Sequence, residues 1–139
     1  MNSERFHEKL IKLETHKNED NSSLTVFSVV KTLPFKVERV FYVDSKVKEE
    51  IRGNHTHKKC WQFLISLNGI IEVVCDDGKE SRSYSLENNN LGLLIPPLIW
   101  SNQIYKDENN ILLVLASHDY DPKDYIHDYE EFKKYIKLI

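Results

Sequence analysis

The stretch Arg52-Gly53-Asn54-His55-Thr56-His57-Lys58-Lys59-Cys60-Trp61-Gln62 runs directly into Phe63-Leu64-Ile65-Ser66-Leu67-Asn68-Gly69. In an extended chain, side chains two apart share a face, so His55 and His57 project together, about 7 Å apart at 3.3–3.4 Å per residue. The apolar run from Trp61 to Leu67 that follows sets the two imidazoles beside a core. Imidazole, with an unperturbed pKa near 6.5, takes and returns a proton at neutral pH. Arg52 adds a fixed charge with paired donors, backed by Lys58 and Lys59, which suits a carboxylate or phosphate. The segment therefore reads as an active site for an anionic substrate.

Outward from it, turn signals recur at short intervals. Asn68-Gly69 is followed by Ile70 to Cys75, then the hairpin signal Asp76-Asp77-Gly78, then Lys79 to Leu86. Glu87 to Asn90 reads as a further turn, and Leu91 to Ile95 as an apolar strand stopped by Pro96-Pro97. Ile111 to Ala116 is the most apolar strand and suits a sheet centre. Upstream, Leu24 to Phe27 and Val37 to Val43 are strand-like, and Asp44 to Ile51 is a charged connection. In the second of these strands Val40 and Tyr42 share one face, with Arg39, Phe41 and Val43 on the other. Tyr42 is placed on the barrel-lining side as a candidate pocket residue. Many short strands with turns between them mean a sandwich or barrel.

The ends differ in character. Residues 1–23 form a leading segment in which Phe6, Leu10 and Leu13 fall at helical spacing, and 24–139 form a single domain. Asp121-Pro122-Lys123-Asp124 resembles a helix start, with Tyr125, Tyr129, Phe132 and Ile136 at helical spacing. His7, His16, His118 and His127 are assigned no functional role.

With 139 residues and 40% hydrophobic content, the chain is long enough for one cored domain. A net charge of -3 and a pI near 6.1 argue against nucleic acid or an anionic membrane surface as partner. No apolar run has the length of a signal peptide or a membrane span, so a cytoplasmic protein is expected. Cys60 and Cys75 are expected as free thiols.

The spacing Gly53, His55, His57, Gln62, Gly69 resembles the first motif of the cupin superfamily, and Gly92 to Asn102 the second. The resemblance implies an all-β double-stranded β-helix, a jelly-roll barrel, with a short C-terminal helix. Metal-holding cupins use the two histidines, a glutamate where Gln62 stands and a histidine where Ser101 stands. Only two good ligands remain here, whereas zinc and iron sites use three or four, so no metal and no cofactor is expected.

A closer resemblance is carried by Arg52 to Lys58, Leu67-Asn68-Gly69, Pro97-Leu98-Ile99-Trp100, and the tail from Ala116-Ser117 through Tyr120 to Ile126. Together these resemble the nucleotide-sugar 3,4-ketoisomerases, over roughly residues 10–137. The resemblance implies a metal-independent isomerase acting on dTDP-4-keto-6-deoxy-D-glucose, in the synthesis of 3-amino sugars for lipopolysaccharide and O-antigen glycans. It also implies a homodimer. Catalytic roles fall to His55, His57 and Tyr42, and substrate contacts to Arg52, Asn54, Lys58, Gln62 and Ser101. Arg-Gly-x-His, shared with dTDP-sugar 3,5-epimerases, places the base at His55 and a relay at His57. Ser101 departs from the pattern, since relatives carry histidine after the tryptophan. A 3,5-epimerase or a non-catalytic sugar-binding cupin are the alternatives.

Overall fold

The computed structural model describes residues 5–87 and 90–139. The chain forms β1 (Lys9–Lys12), β2 (Glu14–Lys17), β3 (Ser23–Val26), the one-turn helix α1 (Val29–Thr32), β4 (Arg39–Ser45) and β5 (Glu50–His57). There follow β6 (Gln62–Asn68), β7 (Ile71–Asp76), β8 (Ser81–Leu86), β9 (Leu91–Ile95), β10 (Trp100–Tyr105) and β11 (Asn110–Ala116). A 3₁₀ turn (Pro122–Asp124), β12 (Tyr125–Ile126) and helix α2 (Tyr129–Leu138) complete it. Two five-stranded antiparallel sheets, ordered β1-β9-β6-β11-β4 and β12-β5-β10-β7-β8, face each other, and β2-β3 is a separate hairpin. This is the expected all-β cupin barrel with a C-terminal helix.

Alternation along the strands divides the apolar residues between two cores. Leu64, Ile71, Val73, Cys75, Leu93, Tyr105, Leu112 and Val114 point inward between the sheets, with Phe41 and Val43 packed against them. Phe63, Ile65 and Leu115 point outward from the first sheet and are covered by Leu13, Leu33, Phe27 and Phe35. Each such side chain, fully buried, contributes about 1.5 to 3 kcal/mol, so both faces of that sheet stabilise the fold. Gly92 is required here, because a Cβ would lie 2.0 Å from the Phe63 ring.

The Asp76-Asp77-Gly78 hairpin falls where the turn chemistry puts it, with Gly78 at φ +95°. Part of the turn expected at Glu87 to Asn90 lies outside the described residues. Two expectations at the termini are corrected. Leu10 lies in a strand rather than a helix, and β1 pairs with β9 inside the first sheet, so Lys9–Lys12 are part of the barrel. Glu8, just before β1, ties it to the second sheet through Arg82 and Tyr84 of β8. At the other end, Asp121 caps only the 3₁₀ turn. The α-helix starts later, where the Asp128 side chain accepts the N–H groups of Glu130 and Glu131, and it buries Phe132 against Trp100 with ring centroids 5.8 Å apart. Among the described residues no helix is long and apolar enough to cross a membrane.

Candidate active site

Strand β5 brings the two histidines to the inner face, and it does so through a local irregularity. Paired with β10, Arg52 lies opposite Gln103 and Gly53 opposite Asn102. His55 then lies opposite Ser101, leaving Asn54 as an extra residue. Gly53 at φ +101° and Asn54 at φ +57° supply the left-handed backbone that such a bulge uses. Ser101 and Gln103 in turn face Cys75 and Val73, which belong to the inner core. Arg52, His55, His57 and Ser101 therefore all take the barrel-interior side. Gln62, buried at the start of β6, shares that interior with Leu64.

The imidazoles of His55 and His57 meet edge-on, with ring centroids 5.0 Å apart. His57 is buried and His55 half-buried. Burial drives the pKa of each below the usual imidazole range, and repulsion between the rings adds to the effect on His57, as does the His127 ring for His55. Asp124, whose Oδ2 lies 3.2 Å from His57 Nδ1, acts in the opposite direction. His57 Nε2 is buried and without a hydrogen-bond partner. The strand end is held from outside as well. The Leu98 N–H donates to the His57 carbonyl at 2.8 Å, and Thr56 Oγ1 donates to the Ile99 carbonyl at 2.8 Å.

Several residues of the sequence reading lie elsewhere. Tyr42 does not line the barrel: it is 70% exposed on the outer face of β4, because Phe41 and Val43 take the inner positions. Asn54, in the bulge, is exposed and accepts a hydrogen bond from Asn102. Lys58 turns its ammonium over the Tyr135 ring of α2, 5.4 Å from the centroid, beyond the inward-facing part of β5. Arg52 remains with the site, and its Nε donates to Glu50 at 3.1 Å.

Other residues enter unannounced. Tyr125 of β12 lies opposite His57 in register and packs its ring 4.3 Å from His57 and 5.1 Å from His55. His127, read from the sequence as structural, stacks on Tyr125 and sits 5.8 Å from His55. Arg39 is close enough to oppose protonation of His57. Its Nε is buried and unpartnered, and its guanidinium lies 5.2 Å from the Phe41 ring centre. Among the described residues no carboxylate pairs with it. Spacing along the chain gives no signal for these contacts; the matching tail through Ile126 was the only pointer to Asp124 and Tyr125.

Among the described residues, the grouping with metal-binding geometry is His57, Cys60 and Asp124, whose donor atoms lie within 4.8 Å of one another. The Asp124 carboxylate is already committed to the Lys59 and Cys60 N–H groups as well as to His57. The trio therefore reads as a hydrogen-bonded latch. Chemically, the barrel-interior side offers two imidazoles held below their usual pKa, polar groups from Ser101, Gln62 and Gln103, and guanidinium groups at Arg39 and Arg52. That combination suits moving protons on a polar, anionic substrate.

Comparison with known proteins gives a consistent picture. Residues 6–137 match the family described as "FdtA: WxcM-like, C-terminal". The TDP-4-oxo-6-deoxy-alpha-D-glucose-3,4-oxoisomerase of Aneurinibacillus thermoaerophilus is 38% identical over 121 residues, 87% of each chain. A sugar 3,4-ketoisomerase from Thermoanaerobacterium thermosaccharolyticum, solved with TDP, superposes with a TM-score of 0.88 at 34% identity, over 96% of both chains. A His-to-Asn variant of that enzyme, solved with TDP-4-keto-6-deoxyglucose, gives 0.89 at 32% identity over 97% of both. The dTDP-4-dehydrorhamnose 3,5-epimerase of Bacillus anthracis, at 19% identity, TM-score 0.76 and coverage of 85% and 76%, shares the fold alone.

Proposed function

The chain belongs to the FdtA (WxcM-like, C-terminal) family, and on that premise we propose that its barrel houses a 3,4-ketoisomerase acting on TDP-4-keto-6-deoxyglucose. The observation that carries this reading is the pair of imidazoles on one inward face, edge-on at 5.0 Å. The C3 hydrogen of a 4-ketosugar is acidified by the adjacent carbonyl. One imidazole removes it, and the C–H electron pair becomes the C3=C4 bond of an enediolate. A proton then passes from O3 to O4, and C4 is reprotonated as the carbonyl forms at C3. A positioned imidazole contributes about 10² to 10⁴-fold to such a transfer.

The rest of the site supports binding and charge stabilisation. Arg39, which no carboxylate pairs with among the described residues, and the Gln62 amide supply donors for the oxyanion that develops. Arg52 is the candidate for the diphosphate, since its recorded hydrogen bond to Glu50 engages only Nε. Ser101, directly across from His55, stands where a water or sugar hydroxyl is to be held. These assignments, together with a cytoplasmic location and a product destined for 3-amino sugars of surface glycans, are our reading.

We also read the protein as a homodimer. Leu24 and Val26 of the β2-β3 hairpin, and Val40 and Tyr42 on the edge strand β4, expose apolar surface that a second copy would cover.

Incubation with dTDP-4-keto-6-deoxyglucose, followed by NMR, tests the activity. Isomerisation gives a 3-keto product, with solvent deuterium entering at the carbons that exchange protons. Exchange at C5 with inversion there, and no 3-keto product, would establish the epimerase instead.

A further inference from the structure

The connection between β4 and β5 is rich in charge, and it brings together two side chains that the reaction described above does not use. Ser45 ends β4 and Glu50 begins β5. The residues between them turn back tightly. The Glu50 N–H donates to the Val47 carbonyl at 3.2 Å, the Glu49 N–H donates to the Tyr105 carbonyl at 2.7 Å, and Glu49 takes a left-handed φ of +65°. The two adjacent glutamates then part. Glu49 meets Lys106 Nζ at 3.2 Å. Glu50 lies opposite Tyr105 in register, two residues before Arg52 and therefore on the same face of β5.

Glu50 Oε1 is a shared acceptor. Ser45 Oγ, in a residue only 1% exposed, donates to it at 2.8 Å, and Arg52 Nε donates to it at 3.1 Å. These hydrogen bonds, that of Ser45 first, hold the Glu50 carboxyl below its usual range, so it is ionised near neutral pH. Tyr105 stays a neutral phenol, since burial pushes its pKa up to about 12. Among the described residues Glu50 is the one carboxylate paired with Arg52. An exposed ion pair adds little to stability, and the Arg52 side chain is 52% exposed. The effect of the pair is geometric. A guanidinium is a rigid planar fork of five N–H donors. With Nε tied to a carboxylate that is itself tied to the buried Ser45, the plane of the fork is set and its Nη1 and Nη2 groups are left for a ligand.

We propose that Glu50, aimed by Ser45, is a positioning residue that sets the Arg52 guanidinium for two-point contact with the substrate's diphosphate. This role rests on the reading of Arg52 as the diphosphate contact. A carboxylate beside a diphosphate repels it, so the charge of Glu50 by itself weakens binding. Its hydrogen bond outweighs that cost by fixing Arg52 before the ligand arrives.

Titration calorimetry with TDP and steady-state kinetics test the role. Glu50→Ala should weaken TDP binding about tenfold and raise KM to a similar extent, with kcat changed less than about threefold, the pattern of a contact made equally before and during the reaction. Glu50→Gln keeps an acceptor for both donors and should bind TDP within about threefold of wild type. In an Arg52→Ala background Glu50→Ala should have no further effect, because it acts only through Arg52. Ser45→Ala, a small change at a buried position, should weaken binding about two- to threefold, and it decides the matter if Glu50→Ala does not fold. Wild-type TDP affinity in Glu50→Ala or in Ser45→Ala would overturn the proposal. So would losses at Glu50 and Arg52 that multiply in the double variant, or a Glu50→Gln enzyme as weak as Glu50→Ala. Arg52→Ala with wild-type TDP affinity would instead sink the reading of Arg52 at the diphosphate.

Discussion

His55 and His57 hold their rings 5.0 Å apart in an edge-on arrangement, so a proton on either raises the cost of protonating the other. Burial already holds both below the ordinary value of 6.5. At pH 7 both are neutral, which is the form a base requires. The acid limb of kcat/KM should therefore lie below pH 6.5. The same shift means that the unfolded chain binds these protons more readily, so stability falls as the pH drops below 6.5 toward the folded-state values. Glu8 behaves differently. Burial alone would raise its pKa, but hydrogen bonds from Arg82 and Tyr84 hold it below 4.5. Its contribution is present above pH 4.5 and is lost as the pH falls through the lowered value. A pH–rate profile with parallel circular dichroism separates these effects; half of the activity lost by pH 6.5 in folded protein would contradict the prediction.

On the reading of His55 as base, replacing His55 with Asn removes the basic nitrogen and leaves the relay at His57. Solvent deuterium should then no longer enter the substrate at C3, and isomerisation should slow by about 10² to 10⁴-fold. Exchange kept in this variant and lost in His57→Asn would move the base to His57. Both quantities are read from one NMR time course in heavy water.

The Glu8 side chain has no exposed surface and accepts a 2.6 Å hydrogen bond from Arg82 Nε, joining the two sheets near the chain's start. Glu8→Ala removes the nearest carboxylate of the guanidinium and leaves it Asp77 and Glu80, each at 3.6 Å. Breaking one side of a buried pair costs about 3 to 5 kcal/mol, and because Arg82 keeps 31% exposure the lower end is expected. Urea unfolding measures it, and a change under about 1 kcal/mol would show that the pair contributes little.

If β4 meets a partner, a charge there should separate the copies. Val40→Lys and Tyr42→Lys each place an ammonium on surface that is 58% and 70% exposed in the single chain, so the fold should survive. Sedimentation should give about twice the 16.4 kDa chain mass for the wild type and the single mass for the variants. A monomeric wild type at micromolar concentration would refute the dimer.

What could be read from the sequence was whatever depends on neighbouring residues. The two-residue period put His55 and His57 on one face, and Asn68-Gly69 and Asp76-Asp77-Gly78 marked turns where the chain reverses. Tyr42 was misplaced because both faces of β4 are apolar: Val40 and Tyr42 compete with Phe41 and Val43, and alternation alone does not say which pair faces inward. Lys58 follows the last inward residue of β5, where helix α2 rather than the strand dictates its direction. Asp124, Tyr125 and His127 reach the imidazoles only because β12 pairs with β5, a register that no local pattern encodes.

The bulge at Gly53 and Asn54 has a further consequence, which is one of parity. His55 lies three positions after Arg52, an odd step, yet both end on the same side of the sheet because one residue in between is unpaired. Removing Asn54 would leave a regular ladder with His55 still opposite Ser101. Keeping Asn54 but pairing it would give it the inner position, turn both imidazoles out to solvent and turn Thr56 inward. The chemistry of the site thus depends on the left-handed backbone that leaves Asn54 unpaired as much as on the motif. A search or redesign that keeps only the His-x-His pattern could keep every catalytic atom and lose the enzyme.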